Sequence, residues 1–321
     1  MATLLSYEHV GVKDEVASTI SNLGEKLVKE LPFTKSIGKK KIKNQLHEWQ
    51  VDFDEEPGDN AFPEDVDFSA IDDKYTPTIM LKNYAQKMMV SVKVTAESQV
   101  QAYWAGSDQM NRQSNKKARK LLRDWEYACL NNGKAVPPTK DTGTGKSNAA
   151  KMGGIKTMIS SKDGGDTIIP DPLTGAITYK EVAGTPTEQD ILDMMEQLWI
   201  AGADVEIIMV SASMKDVISG MQEKDATRVR VFENAEKITF EVNTITDALG
   251  NTVKVIYNRL MPANTVFFYN SQDWQEAVFR APASEEAPKM GDYKKAILSQ
   301  TLGLEHRNPW CSGLIVGKSA A

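Results

Sequence analysis

One stretch of this sequence carries eleven acidic residues and no lysine or arginine, and strand patterns border it on both sides. Apolar and polar residues alternate through residues 42–53 and again through residues 79–95, as in half-buried strands. We therefore predict a long two-stranded finger over residues 42–95 with an acidic loop. Since an isolated two-stranded hairpin is marginal in water, the finger should rest on something else, such as another copy of the chain. The acidic residues are Glu48, Asp52, Asp54, Glu55, Glu56, Asp59, Glu64, Asp65, Asp67, Asp72 and Asp73.

The charge of this stretch sets it apart from the rest of the chain. The net charge of the 321 residues is -6, so the chain without those eleven acids carries +5. Such an acidic stretch seeks a basic surface or solvent. The length exceeds that of one ordinary hydrophobic core, which favours two lobes or one core with extended arms.

The clearest helix pattern covers residues 106–131, where apolar residues recur at spacings of three and four. Asn132 and Gly133 supply a stop signal. The polar face of this helix is basic. Two interpretations stay open: a solvated face, or a docking surface for the acidic finger. The basic residues are Arg112, Lys116, Lys117, Arg119, Lys120 and Arg123.

Residues 134–184 are rich in Gly, Pro, Ser, Thr and Lys and predict an irregular loop. A helix is then predicted with Thr185 as its cap, Pro186 at its first position and Glu188 three residues after the cap. Strands at 205–210 and 265–269, a helix from about residue 213 and a hairpin around Gly250 and Asn251 complete the pattern of an α+β domain. Residues 293–317 predict further strands.

No motif supports catalysis or a cofactor. Residues 141–147 resemble a phosphate-binding loop, but Lys140 stands where the first glycine belongs, and no buried strand precedes the segment. The three histidines, His9, His47 and His306, lack metal-site or triad spacing. We predict no catalytic, cofactor-binding or metal-binding residues, apart from an adventitious cation on the acidic stretch as a minor alternative.

The remaining sequence features concern location. Cys129 and Cys311 lack CxxC spacing and are interpreted as buried thiols in a reducing compartment. No apolar run approaches the roughly 20 residues of a membrane span, and no secretory signal is visible at the start of the chain.

Several stretches resemble the major head protein family within the Hong Kong 97-type major capsid proteins of tailed bacteriophages. Each stretch is weakly specific alone, whereas their order and spacing over most of the chain are together more specific. They are HEW at 47–49, KLLRDWE at 120–126, LWIAG at 198–202, YNRLMP at 257–262, FRAP at 279–282, MGDY at 290–293 and TLGLE at 301–305.

The resemblance implies a fold and a division into domains. It implies an α+β Hong Kong 97-type fold with an N-terminal arm, an extended β-hairpin loop lying over a neighbouring subunit, a long spine helix and an α+β axial domain at five-fold and six-fold centres. The divisions are 1–41 for the arm, 42–95 for the extended loop, 96–184 for the peripheral domain with spine helix 106–131 and irregular segment 134–184, 185–280 for the axial domain, and 281–321 for closing peripheral strands.

The resemblance also implies a structural function: many copies, as hexamers and pentamers, form an icosahedral phage head around double-stranded DNA held without sequence specificity. Because no long charged helical extension precedes the arm, we expect a separate scaffolding protein, and we expect a portal and a cement protein as further partners, with no membrane. We expect assembly in the host cytoplasm and a final location in the virion. The alternative is a cytoplasmic enzyme that binds a phosphorylated ligand at residues 143–147.

The predicted contact between copies joins the acidic finger to the basic helix. Acidic side chains of the finger in one copy should meet basic side chains of the long helix in another, and apolar finger residues should supply more of the binding free energy than the charges do. The predicted residues are Trp49, Val51, Phe53, Asp52, Asp54, Glu55, Glu56, Arg112, Lys116, Arg119 and Arg123.

Overall fold

The computed structural model describes most of the chain. The described residues are 31–52, 59–67, 78–101, 108–140, 143, 146–160, 162–163, 166–167, 170–175, 179–223, 244–246, 252–288 and 290–318. Most of the predicted N-terminal arm, part of the acidic loop and most of the first strand of the hairpin predicted around residue 250 lie outside them. The described part of that strand, Thr244–Thr246, pairs antiparallel with residues 252–254, as predicted for a hairpin.

The described α-helices alternate with strands, as expected for an α+β chain. They are α1 (Pro32–Ser36), α2 (Ala96–Val100), α3 (Gln109–Asn131), α4 (Glu188–Ile200) and α5 (Lys215–Glu223).

The described strands form two main sheets and two short pairs. They are β1 (Gly38–Lys41), β2 (Leu46–Val51), β3 (Ile79–Tyr84), β4 (Gln86–Thr95), β5 (Lys162–Asp163), β6 (Asp166–Thr167), β7 (Lys180–Ala183), β8 (Ile207–Val210), β9 (Thr244–Thr246), β10 (Thr252–Tyr257), β11 (Thr265–Tyr269), β12 (Trp274–Glu286), β13 (Tyr293–His306) and β14 (Gly313–Lys318). The first sheet has the order β1-β12-β13-β4, and the second has the order β7-β14-β11-β8-β10-β9. The strands β2 and β3 form a separate antiparallel pair.

The long basic helix is confirmed as α3, and it begins three residues later than predicted. Asp108 caps its start, where the carboxylate accepts a hydrogen bond from Asn111 N. Apart from Gln109, the buried residues of α3 lie from Leu121 onward. At 1.5 Å per residue the helix is about 34 Å long, and residues 110–120 are half-buried or exposed.

The start of α4 corrects one sequence prediction. The cap is Thr187 rather than Thr185, and Thr187 and Asp190 exchange the two hydrogen bonds of a capping box. Both threonines are followed three residues later by an acid, so the sequence pattern fits either register. At the other end of the helix, Gly202 has a φ of +79°, a conformation that a side chain disfavours.

The sheet topology differs from the predicted domain boundaries. The strand β12 crosses the expected boundary at residue 280 and pairs with β13 in the four-stranded sheet. The strand β14, assigned to the peripheral closing strands, instead pairs with β11 and β7 in the six-stranded sheet. Alternating hydrophobicity identifies a strand but does not identify its partner, which explains the difference.

The segment 134–184 is largely irregular, as predicted, yet part of it is packed. Met152, Ile155, Met158 and Ile159 are buried in the main core. This segment therefore contributes to the fold rather than serving only as surface decoration.

The two faces of the four-stranded sheet carry different neighbours. Residues opposite one another in an antiparallel pair share a face, and successive residues alternate. Gln86 pairs in register with Leu302, and its side chain accepts a 3.0 Å hydrogen bond from Asn132 at the end of α3. Glu305 lies three residues beyond Leu302 and so points to the opposite face, where it contacts His47 of β2. The base of the β2–β3 hairpin also contacts the α3 side: Asn83 Oδ1 accepts a 2.9 Å hydrogen bond from Gly153 N, and Trp49 and Leu81 share a core cluster with Leu121.

Candidate functional site

The base of the hairpin is fixed to its own chain by apolar packing. Trp49, Val51 and Leu81 are buried in the main core, and Trp49 Nε1 donates a 2.8 Å hydrogen bond to the carbonyl of His306. The structure therefore places Trp49 and Val51, which we predicted at a contact with another copy, inside a single chain. Phe53 lies outside the described residues.

A buried carboxylate adds a polar anchor at the same place. Glu305 accepts hydrogen bonds from Lys40 Nζ at 3.1 Å and from His47 Nε2 at 2.6 Å. Burial alone would raise the pKa of Glu305, but the hydrogen bonds and positive charge of His47 and Lys40 outweigh it and lower the pKa to about 2. The ionised carboxylate thus joins β1, β2 and β13.

Beyond the base, the described part of the acidic loop is exposed. Asp59, Glu64 and Asp65 face solvent, and Phe62 between them is 49% exposed. Asp52, at the end of β2, is also exposed. The predicted contact residues Asp54, Glu55 and Glu56 lie outside the described residues.

The predicted basic partners lie on α3. Arg112 and Lys116 are exposed, and Arg119 and Arg123 are half-buried.

The sequence reasoning missed a buried carboxylate on α3 that joins three parts of the chain. Glu126 accepts hydrogen bonds from Phe33 N at 3.0 Å, from Thr34 N at 2.8 Å and from Asn258 Nδ2 at 2.7 Å, and Thr34 Oγ1 also donates to it. Burial raises the pKa of Glu126, although these hydrogen bonds oppose the rise. The sequence does contain one indication of this role: Glu126 lies four residues before Leu130, so it falls on the apolar face of the helix, where a buried side chain is expected.

The segment joined to Glu126 also fills an aromatic cluster. The Phe33 ring packs edge-on against Phe267, Tyr269 and Trp274, with ring centroids 5.5 to 5.9 Å apart. The start of α1 is therefore held by polar and apolar contacts where the two sheets and α3 meet.

One serine–histidine pair has the spacing of a nucleophile and its base, but it is sealed. Ser312 Oγ lies 2.9 Å from His306 Nε2, and both residues are buried. The carbonyl of Met158 can only accept from His306 Nδ1, so Nε2 accepts from Ser312. Burial lowers the pKa of His306 to about 3, which keeps the ring neutral. The pair is closed to substrate and serves packing.

The described residues of the segment that resembles a phosphate-binding loop, 143, 146 and 147, are exposed. Antiparallel bridges join Val136 to Lys151 and Lys140 to Ser147. Since neither a buried strand nor a helix adjoins Ser147, the segment lacks the setting of a nucleotide loop.

Within the described ranges, no group of three or more His, Cys, Asp or Glu side chains could hold a metal ion. None of the helices found there is long and apolar enough to cross a membrane. Cys129 and Cys311 are free, buried thiols, as predicted.

Comparison with known proteins gives two sequence matches that cover nearly the whole chain. The family model described as "SU10 major capsid protein" matches residues 6–319. A protein of Escherichia phage Phieco32, named "Major capsid protein", is 32% identical and is matched over 99% of this chain and 98% of its own length.

Solved structures share the fold at low sequence identity. The chain of a structure titled "Capsid of native GTA particle" matches with a TM-score of 0.68 and 13% identity over 98% of both chains. A Cyanophage A-1(L) capsid chain matches with a TM-score of 0.63 and 12% identity over 95% of this chain and 98% of that chain. A Mycobacterium phage Adephagia chain matches with a TM-score of 0.54 and 12% identity over the full length of both.

Proposed function

Since the chain belongs to the SU10 major capsid protein family, we propose that it is the structural protein whose copies build an icosahedral phage head from hexamers and pentamers. The observation that carries this proposal is the match to the Phieco32 protein over almost the whole of both chains. The α+β fold of the Hong Kong 97 type agrees with the capsid structures that share it. The alternative of an enzyme acting at residues 143–147 finds no support in the family.

The domain arrangement of the proposal follows the sheets. The unit around the six-stranded sheet is the axial domain that gathers at five-fold and six-fold centres. The four-stranded sheet with α3 is the peripheral domain, and the hairpin β2–β3 is the start of the loop that extends over a neighbouring copy.

We infer that charge directs the contact between copies. The acidic loop, with Asp52 and the acids that follow it, lies against a basic surface on another copy. The acceptor predicted from the sequence is the basic face of α3, with Arg112, Lys116, Arg119 and Arg123. Exposed ion pairs contribute about 0 to 1 kcal/mol each, so they set the register of assembly, whereas apolar contacts supply most of its free energy.

The proposal includes further partners in head assembly. A scaffolding protein, a portal and a cement protein would complete head assembly in the host cytoplasm, and double-stranded DNA would fill the shell that becomes part of the virion. DNA contact would be non-specific, since the run from Lys39 to Lys43 has no aromatic interleaving.

The test of this function is assembly itself. The full chain is expressed alone, and then together with the neighbouring head genes, and the fast-sedimenting fraction is imaged by electron microscopy. Closed shells of uniform diameter are the expected result. A chain that stays monomeric under both conditions, or that forms only tubes, would contradict the proposal.

A further inference from the structure

The first half of α3 is basic and largely uncovered. From Gln109 to Arg123 the helix carries six lysines and arginines and no aspartate or glutamate. Arg112 and Lys116 are exposed, and Lys117 is half-buried. In the described part of the chain, no ion pair involves any of these three side chains. Their charges are therefore available to a partner.

Four of the basic residues form a row along one side of α3. They are Arg112, Lys116, Arg119 and Arg123, at spacings of four, three and four residues. Such spacings keep side chains on one side of a helix, and we call these four residues the basic row. At 1.5 Å per residue the basic row is about 16 Å long. The phosphates of one DNA strand recur about every 3.4 Å along the duplex axis, so a helix lying along a duplex would hold the row beside about five of them.

The same stretch of α3 offers no apolar anchor to another protein. The described residues 109–120 expose no large apolar side chain, and Met110 and Ala118 are half-buried. The centre of a protein–protein interface is depleted of charged residues and enriched in aromatic ones, and this surface has the opposite composition. Lysine and arginine are common partners of DNA phosphates, and arginine can bind a phosphate through two hydrogen bonds. The surface therefore fits a nucleic-acid backbone better than it fits a protein.

The other face of the four-stranded sheet provides a comparison. The side chain of Gln86 in β4 accepts a hydrogen bond from Asn132 at the end of α3, so Gln86 faces the helix. Lys87 and Lys93 lie at alternate positions of β4 and are exposed on the opposite face. That face also exposes Met89 beside its lysines, whereas residues 109–120 of α3 expose no large apolar side chain. This difference selects the α3 side for a polyanion.

We propose that the basic row of α3 binds the phosphate backbone of the double-stranded DNA inside the shell. This inference rests on the proposed function, because packaged DNA requires a shell. It assigns the basic face of α3 to DNA rather than to the acidic loop, which is the occupant predicted from the sequence. Phosphate contacts carry no base-sequence information. Because a shell repeats the row in every copy, contacts that are weak singly act together on one DNA molecule.

The first test is the salt dependence of DNA binding by the unassembled full chain. Binding of a short fluorescent DNA duplex is followed by anisotropy at several salt concentrations. In R112Q/K116Q, the slope of log affinity against log salt concentration should fall in magnitude by about 2, because each phosphate contact contributes about 0.9. The loss of affinity between about 50 and 200 mM salt should then be about tenfold smaller than for the wild type. The matched control K87Q/K93Q removes two exposed lysines from the other face of the sheet and should bind the duplex as the wild type does.

The second test is acetylation of lysine amines in particles of the unmodified chain, compared between DNA-filled and empty particles. Mass spectrometry should find Lys116, the lysine of the basic row, less acetylated in filled particles, because phosphates cover its amine. Lys87 and Lys93 are the internal controls and should be acetylated equally in both kinds of particle. The unassembled chain supplies the reference for an uncovered Lys116.

The outcomes separate this inference from the proposed function. An unchanged slope in R112Q/K116Q, or an equal reduction in K87Q/K93Q, overturns the inference and leaves the function intact. Equal acetylation of Lys116 in filled and empty particles also overturns it; if Lys116 is protected in both, the surface belongs to a contact between copies. A wild-type chain that gives no particles under any condition overturns the proposed function and, with it, packaged DNA as the occupant.

Discussion

Removal of the Glu126 carboxylate should weaken the whole chain, because that group joins α3 to α1 and to Asn258. In Glu126→Ala, the Phe33 N–H and the Asn258 amide lose an acceptor within a buried site. An orphaned buried donor costs about 1–3 kcal/mol, and relief of the buried charge offsets part of that cost. We expect the free energy of unfolding to fall by about 2–5 kcal/mol.

The measurement is urea unfolding of the unassembled chain, followed by tryptophan fluorescence. Asp124→Ala is the matched control, since it removes an exposed carboxylate two residues earlier that pairs with Lys120; its loss should stay within about 0.5 kcal/mol. A loss for Glu126→Ala below about 1 kcal/mol, or no larger than that of the control, would refute the reasoning.

The pH dependence of Glu126→Gln gives an independent check. Burial raises the folded-state pKa of Glu126, so the native chain binds this proton more tightly than the unfolded chain does. The stabilisation that proton binding to Glu126 gives the folded state is fully present below the unfolded-state pKa and is lost as pH rises through the folded-state pKa. The wild type should therefore gain stability relative to Glu126→Gln as the pH falls through that range.

Three further predictions concern stability. Thr187→Ala should cost about 1 kcal/mol by removing the observed cap, whereas Thr185→Ala should cost less than half of that in the same urea titration; equal losses would contradict the corrected register. Gly317→Ala should lower the free energy of unfolding by about 1–3 kcal/mol, because the new Cβ would lie 2.1 Å from the carbonyl oxygen of Gly184. The control Gly220→Ala, whose Cβ would have no atom within 4 Å, should be neutral or stabilising in a thermal melt. An unchanged melting temperature of Gly317→Ala would show that the backbone around Gly184 can move away. The pKa of Glu305 is lowered to about 2, so its ionised carboxylate stabilises the fold by about 3 kcal/mol above the unfolded-state pKa near 4.5, and this stabilisation is lost as pH falls through the folded-state pKa. The stability of Glu305→Gln should therefore fall less than that of the wild type in an acid titration. Identical acid transitions of the two chains would contradict this contribution of Glu305.

The predicted contact residues illustrate what the sequence can and cannot predict about burial. Trp49 and Val51 were predicted to contact another copy, whereas the structure buries both within a single chain. The sequence could not distinguish internal cover from cover by a neighbour, because an alternating strand records only that one face is buried. The acidic loop and the basic helix remain predictions for assembly.

Local patterns by themselves determined the elements of this protein: the helix around Trp125, the paired strands that flank the acidic loop, the α+β class, and the resemblance that led to the family. Those features follow from periodicity and turn residues, which act over a few positions. Only the tertiary structure decided that β14 joins the six-stranded sheet, that Glu126 holds α1, and that Glu305 fixes the hairpin base through His47. Each of these features depends on contacts between residues more than 40 positions apart in the chain. Periodicity over a few residues does not determine which distant residues meet.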